Sequence, residues 1–159
     1  MGTTAFLKQV KKVVIPFLEK NECTTDSVSK VIISGPTTRA HSQAAVALGF
    51  QSIQVQNPLF DTIGATGNAH TLMMLISALE NAQPGDKLLV IAFAEGLDVF
   101  LLEVTEAILK LAERKGVSSY LDIKNNQTSY SDYLKWRDLI KVEPPRRPET
   151  DRPSAPALY

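Results

Sequence analysis

Pro84–Val104, PGDKLLVIAFAEGLDVFLLEV, decides the fold. Lys87–Phe93 is apolar at successive positions, so both faces of the segment need cover, the pattern of a central strand. Ala94-Glu95-Gly96-Leu97 is short enough to turn that strand into a second one, Val99–Val104. Pro84-Gly85-Asp86 ends whatever precedes it. The apolar stretch before that stop, within IGATGNAHTLMMLISALENAQPGD (Ile63–Asp86), predicts a helix from Ala69 to Ala82. Leu72, Met73, Met74, Leu75 and Ile76 make it apolar almost all round, which describes a buried central helix more often than an acyl tunnel.

Further outward, VSKVIIS (Val28–Ser34) is a β-branched run closed by Gly35-Pro36, hence a short buried strand. Arg39–Leu48 reads as a helix with Thr37 or Thr38 as N-cap and Gly49 just past its end. Ser52–Gln56 reads as the next strand. At the start of the chain, Phe6, Val10, Val13, Val14, Phe17 and Leu18 recur at helical spacing across Thr4–Lys20, with Pro16 expected to bend or tighten the turn around it. A last helix is expected over Thr105–Lys115. Strands that alternate with helices and end on a hairpin give an α/β fold: a mixed, mostly parallel sheet with flanking helices and a C-terminal antiparallel hairpin.

These elements occupy residues 1–115. Residues 116–159 read as an extended linker or tail, polar and aromatic at first and then rich in Pro and Arg, as in KVEPPRRPETDRPSAPALY. Arg146 and Arg147, flanked by prolines, face either solvent or a partner domain, with the phosphates of a coenzyme as the sharper alternative.

Seventeen basic residues balance seventeen acidic ones, so no global charge steers the chain to nucleic acid or to an anionic membrane. No apolar run is long enough to span a bilayer and no secretory segment is evident, which points to the cytoplasm. One cysteine, Cys23, excludes an intramolecular disulfide and a cysteine-based zinc site, and its polar connector offers it no adjacent histidine. No metal site is expected.

Two segments carry a family resemblance. PGDKLLVIAFAEGLDVFLLEV, with the small-residue loop and helix before it, resembles the C-terminal half of the thiolase-like superfamily, in the branch of 3-hydroxy-3-methylglutaryl-CoA synthase and ketoacyl-ACP synthase III; the likeness spans Thr4 to Val104. YSDYLKWRDLIKVEPPRRPETDRPSAPALY resembles the entry to a zinc-ribbon and OB-fold domain found beside such synthases, with RRP and RPSAP its telling pieces. The resemblance implies part of a carbon–carbon bond-forming acyl-CoA acyltransferase. A Cys nucleophile would lie in the other half, and a His and an Asn from this half would polarise the thioester and stabilise the enolate and oxyanion.

At the positions where the family carries that pair, this chain departs from it. A pattern like HQPNGR is replaced by SGPTTR, placing Ser34 at the His, Thr37 and Thr38 over the following residues and Arg39 at the basic position. A pattern like GNT is replaced by GAT, so Ala65 follows Gly64 where the Asn is expected. Ser34 and His70 are therefore the catalytic candidates. Gly35, Thr37, Arg39, Gly64, Ala65, Gly67, Asn68 and Gly96 are the substrate-binding candidates.

Each has a plainer reading. His70 and Asn68 serve either as donors to a ligand or, the more common arrangement, as capping groups of the helix they begin. Gly64 and Gly67 serve close ligand approach or a tight turn. His41 is expected to face solvent, and Glu95 and Asp98 to sit on a solvated hairpin tip. With nucleophile, His and Asn all missing, the expected chain is inactive alone and takes coenzyme A thioester as substrate, with no separate cofactor. The alternative is a non-catalytic module that binds acyl-CoA or a partner subunit and scaffolds a complex. Its expected partners are acyl-CoA, a thiolase-like N-terminal half or partner subunit, and a second copy, through an apolar face left open.

Overall fold

Val31, Ile32 and Ile33 cannot reach water on either side of the strand they form, and the architecture follows from covering them. The computed structural model describes residues 2–111, 116–123 and 128–143. Strand β1 (Lys30–Ile33) pairs in parallel with β2 (Lys87–Phe93), and β2 pairs antiparallel with β3 (Leu97–Glu103) from Lys87↔Glu103 to Phe93↔Leu97. The sheet order is β1-β2-β3, a mixed α/β sheet closed by the hairpin that Pro84–Val104 foretells.

Two helices cover one face. Helix α1 (Thr3–Lys20) buries Phe6, Val10, Val14 and Leu18, one residue per turn, and continues through Pro16. Helix α2 (Thr38–Leu48) buries Ala40, His41, Ala44, Ala45 and Leu48. The Thr37 hydroxyl accepts from the Ala40 N–H at 3.1 Å, and Gly49 takes the left-handed conformation (φ +89°) that ends the helix. Small alanines along α2 let it close against α1 and the sheet, and together these elements make one core with Val31, Ile33, Leu89 and Ile91. On the opposite face, α4 (Ala69–Asn81) lays Met74 and Ala78 against Ile32, Leu88 and Val90.

Some segments differ from the sequence reading. Ser52–Gln54 is a 3₁₀ turn, not a strand, and Val55 makes a single parallel bridge to Val31. A short helix, α3 (Phe60–Ile63), stands in the connection before α4. Glu106–Lys110 is a 3₁₀ turn where a longer helix is expected, and residues 112–115 lie outside the described ones. Past Gly116 the backbone is helical again in α5 (Val117–Asp122), where the sequence reads as extended. Val117 is buried in the second core, and the Ser118 N–H is met by a Glu80 carboxylate oxygen from α4 at 3.0 Å.

The chain divides into two units, 1–123 and 124–159. In the second, α6 (Tyr130–Trp136) begins at a reciprocal capping box between Ser129 and Asp132, an arrangement that holds the Asp132 carboxyl below its ordinary range through hydrogen bonds from Ser129. Arg146, Arg147 and the rest of residues 144–159 lie outside the described residues. Among the described residues, no helix is long and apolar enough to cross a membrane.

Candidate functional site

The site begins where β1 ends. Ser34 continues the strand register by donating its N–H to the Ile91 carbonyl at 2.8 Å, and it is buried. Gly35 then turns the chain under the start of α2. A Cβ there would stand 3.1 Å from the His41 nitrogen and 3.5 Å from the Phe6 ring, so a side chain would need the start of α2 to give by a few tenths of an ångström. The Ser34 hydroxyl has no hydrogen-bond partner among the described residues.

The second wall is the connector between Gln56 and α4. Gly64 (φ +68°) and Gly67 (φ +62°) occupy the left-handed region, so backbone conformation alone accounts for both glycines; a Cβ at either would meet open space. Ala65 and Asn68 are exposed beside them. Asn68 makes no capping bond with its side chain and has helical angles itself (φ −64°, ψ −25°), contrary to the capping role expected of it. The preference of asparagine for a cap needs an extended backbone at that position, which the Gly67 turn does not give.

His70 is nearly inaccessible, at 3 % exposure. Its Nε2 lies 2.6 Å from the Pro58 carbonyl oxygen. A carbonyl can only accept, so Nε2 carries the proton. Nδ1 sits 3.1 Å from the Thr66 hydroxyl and, in the neutral ring, accepts from it. Phe60 stacks on the imidazole with centroids 4.4 Å apart at 21°. The ring thus ties three points of the connector together instead of capping the helix, and neither nitrogen is left over for a ligand.

These walls enclose a cavity of about 230 Å³. Ser34 and Gly35 enter from the β1 turn, and Ala65, Gly67, Asn68 and His70 from the second loop; Phe60 and Phe93 supply aromatic sides. Six of the ten candidate residues are therefore brought together. Thr37 is occupied as the α2 cap, Arg39 is exposed, and neither they nor Gly64 and Gly96 line the cavity. Glu95 and Asp98 are exposed at the hairpin, as a solvated tip requires. Cys23 is buried against the Ser27 hydroxyl at 3.2 Å, away from these walls.

Sequence reasoning overlooked Phe60, Phe93 and Pro58, and it misplaced His41. His41 does not face solvent: it is 1 % exposed, with Nδ1 at 2.7 Å from the Ile33 carbonyl and Nε2 at 3.1 Å from the Gln56 carbonyl. The signal that could have found it is the proline two residues after Gln56, as argued below. Burial pushes the His41 pKa down, against the raising effect of the two carbonyls.

Residues 18–102, more than half of the chain and every wall of the cavity, match the family model described as 3-oxoacyl-[acyl-carrier-protein (ACP)] synthase III C terminal. Among curated proteins the chain is similar to the hydroxymethylglutaryl-CoA synthase of Methanopyrus kandleri, 26% identical over 144 residues (88% of this chain, 41% of that protein). It is 29% identical over 146 residues to that of Pyrobaculum aerophilum (89% and 41%). With that of Caldivirga maquilingensis it shares 29% identity over 151 residues (89% and 41%). The chain spans about two fifths of the length of these relatives.

Proposed function

The chain belongs to the 3-oxoacyl-[acyl-carrier-protein] synthase III C-terminal family, and from that premise we propose that it is part of an acyl-CoA condensing acyltransferase similar to hydroxymethylglutaryl-CoA synthase, without turnover of its own. One observation carries the reading. Ser34 and Ala65, distant in sequence and standing where the family resemblance puts its His and Asn, line the same cavity.

The residues present favour holding a thioester over converting it. Condensation needs a thiolate nucleophile and fixed donors for the developing oxyanion. Ala65 offers only its backbone N–H. Ser34 has a free hydroxyl but no base to take its proton, and the His70 proton is committed to Pro58. A space of about 230 Å³ takes the acyl–thioester end and leaves the pantetheine and nucleotide outside it. The nucleophile then comes from a thiolase-like N-terminal half or partner subunit, in the cytoplasm, seated on the face of the sheet that α4 leaves partly open.

A second reading, a non-catalytic module that binds acyl-CoA or a partner and scaffolds a complex, is favoured by the full engagement of both His70 nitrogens. Titration with acetyl-CoA, followed by calorimetry and by release of free thiol, tests both. Saturable heat without thiol release is the expected result, and Ala65→Trp, which fills the cavity, should remove the heat. Absence of heat from the native chain overturns the acyl-CoA site. Thiol release by the chain alone, lost in Ser34→Ala or His70→Ala, overturns the claim of inactivity. Adding a thiolase-like N-terminal half separates the readings: restored condensation supports the enzyme, and binding without condensation supports the scaffold.

A further inference from the structure

The ladder on the outer edge of β1 stops for a chemical reason. Val55 bridges Val31, and the Gln56 N–H donates to the Val31 carbonyl at 3.0 Å. In a parallel ladder the donors on one strand recur every second residue. The next rung therefore requires an N–H at position 58, aimed at the Ile33 carbonyl. Position 58 is proline and has none. His41 supplies the missing donor from α2: its Nδ1 stands 2.7 Å from the Ile33 oxygen, and its Nε2 reaches the Gln56 oxygen at 3.1 Å.

Both partners of this ring are carbonyls, and carbonyls only accept. A neutral imidazole has one N–H, so it bonds one of them and sets a lone pair against the other. The shorter contact, to Ile33, keeps the proton. Only the doubly protonated ring bonds both. Against that second proton stand the burial of the ring, the larger effect, and its proximity to His70 on α4; for it stand the two carbonyls. Asp61 of α3 lines the same groove as His41. On α2 itself the neighbouring ionisable group is Arg39, which is exposed, and the nearest on β1 is Lys30, which donates to the Ile53 carbonyl at 2.7 Å.

We infer that His41 is a proton-dependent positioning residue for the cavity: singly protonated it holds the end of β1, and doubly protonated it also fastens the connector that forms the opposite wall. The fastening reaches the cavity by a short route. Gln56 leads to Pro58, the Pro58 carbonyl holds His70, and Phe60 stacks on His70. Ile33, the other end of the tie, is followed directly by Ser34. His41 does not line the cavity itself; it sets the spacing between two of its walls. The inference does not depend on what the cavity binds.

The test is nitrogen-resolved NMR of the native chain across pH 5 to 8. Imidazole correlations should show His41 protonated at Nδ1 alone at the upper end and gaining a second proton on acidification. The Asn57 amide, whose nitrogen is bonded to the Gln56 carbonyl carbon, should titrate with the His41 midpoint, while the Ser34 amide, next to Ile33, stays put. His41→Gln should abolish the Asn57 titration while keeping the hydrogen bond from Ser34 to Ile91. If Asn57 moves with a midpoint other than that of His41, if both amides move together, or if the titration survives in His41→Gln, the inference is wrong. Where that variant does not fold, the native titration decides alone: Asn57 moving with His41 supports the tie, and Asn57 unmoved refutes it.

Discussion

The two faces of the sheet are built to different degrees of completion. On the α1/α2 side, Val31, Ile33, Leu89 and Ile91 are sealed by Phe6, Val10 and Val14, each at or below 1 % exposure. Even the β3 residues Leu97, Val99 and Leu101 pack against that cluster. On the other side, α4 seals Ile32, Leu88 and Val90 but leaves β3 bare. Phe100, opposite Val90, is 53 % exposed, and Leu102, opposite Leu88, is 38 % exposed. The outward residues of α4, Leu72 and Ile76, are also open, at 61 % and 45 %. One face is a finished core. The other is one layer short, which is where a second half or subunit is proposed to sit.

Stability should be distributed as unevenly as the cover. Phe6 is fully buried and meets Phe93 edge-on at 5.0 Å. Phe6→Ala should cost about 3–5 kcal/mol, from lost transfer free energy plus the cavity left behind. Phe100→Ala, with its ring half in water, should cost within about 0.5 kcal/mol. Urea unfolding of the two variants measures the contrast, and equal losses would mean that the faces are not distinct.

His41 joins the finished face to the cavity, so its loss should come next in size. His41→Ala strands the buried Ile33 carbonyl, at about 1–3 kcal/mol. The pH dependence has a definite sign. Its pKa in the folded chain is lowered from 6.5, so the unfolded chain binds the proton more readily. Its contribution is therefore present above about pH 6.5 and is lost as pH falls through the lowered value. Denaturation midpoints measured between pH 7.5 and 5 should decline in the native chain and decline less in His41→Gln. A native midpoint that rises on acidification would reverse the assignment.

How much of this was legible in the sequence follows the same divide. Lys87–Phe93 gave itself away because a central strand is apolar on both faces, and the hairpin followed from four residues of turn. Helix α1 was legible from one buried residue per turn. What escaped was everything fixed by partners remote in sequence. Ser52–Gln56 has the composition of a strand, yet Pro58 deletes the next rung and the segment keeps a single bridge. His41 looked like a surface residue because nothing in its own helix says that two carbonyls, eight residues before it and fifteen after, converge on it. The loops of the cavity were found through their glycines and the family pattern, but not the aromatic rings of Phe60 and Phe93, which ordinary core composition does not mark out.

A smaller effect belongs to the Thr37 cap. Its hydroxyl serves one N–H at the start of α2, the helix that also delivers His41. Thr37→Ala should cost about 1 kcal/mol. Thr37→Ser should restore most of it, because the oxygen is what counts. Comparing the two by chemical denaturation also asks whether Thr37 has a ligand-binding role: a variant that binds acetyl-CoA less well despite a Ser cap would place the threonine methyl at the site.

The smallest effect on stability is expected to carry the largest effect on association. Phe100→Ser combined with Leu72→Ser removes apolar surface that is already mostly in water, so the unfolding free energy should change by within about 0.5 kcal/mol. Exposed apolar patches of this kind favour self-association in the absence of their proper partner. Sedimentation velocity at rising concentration should therefore show the native chain forming dimers and the double variant remaining monomeric. A native chain that stays monomeric throughout would mean that Phe100 and Leu72 are tolerated singly by solvent and do not form a docking surface. A double variant that unfolds readily would show that the α4 face contributes as much to the core as its opposite, and the contrast between the two faces would fall.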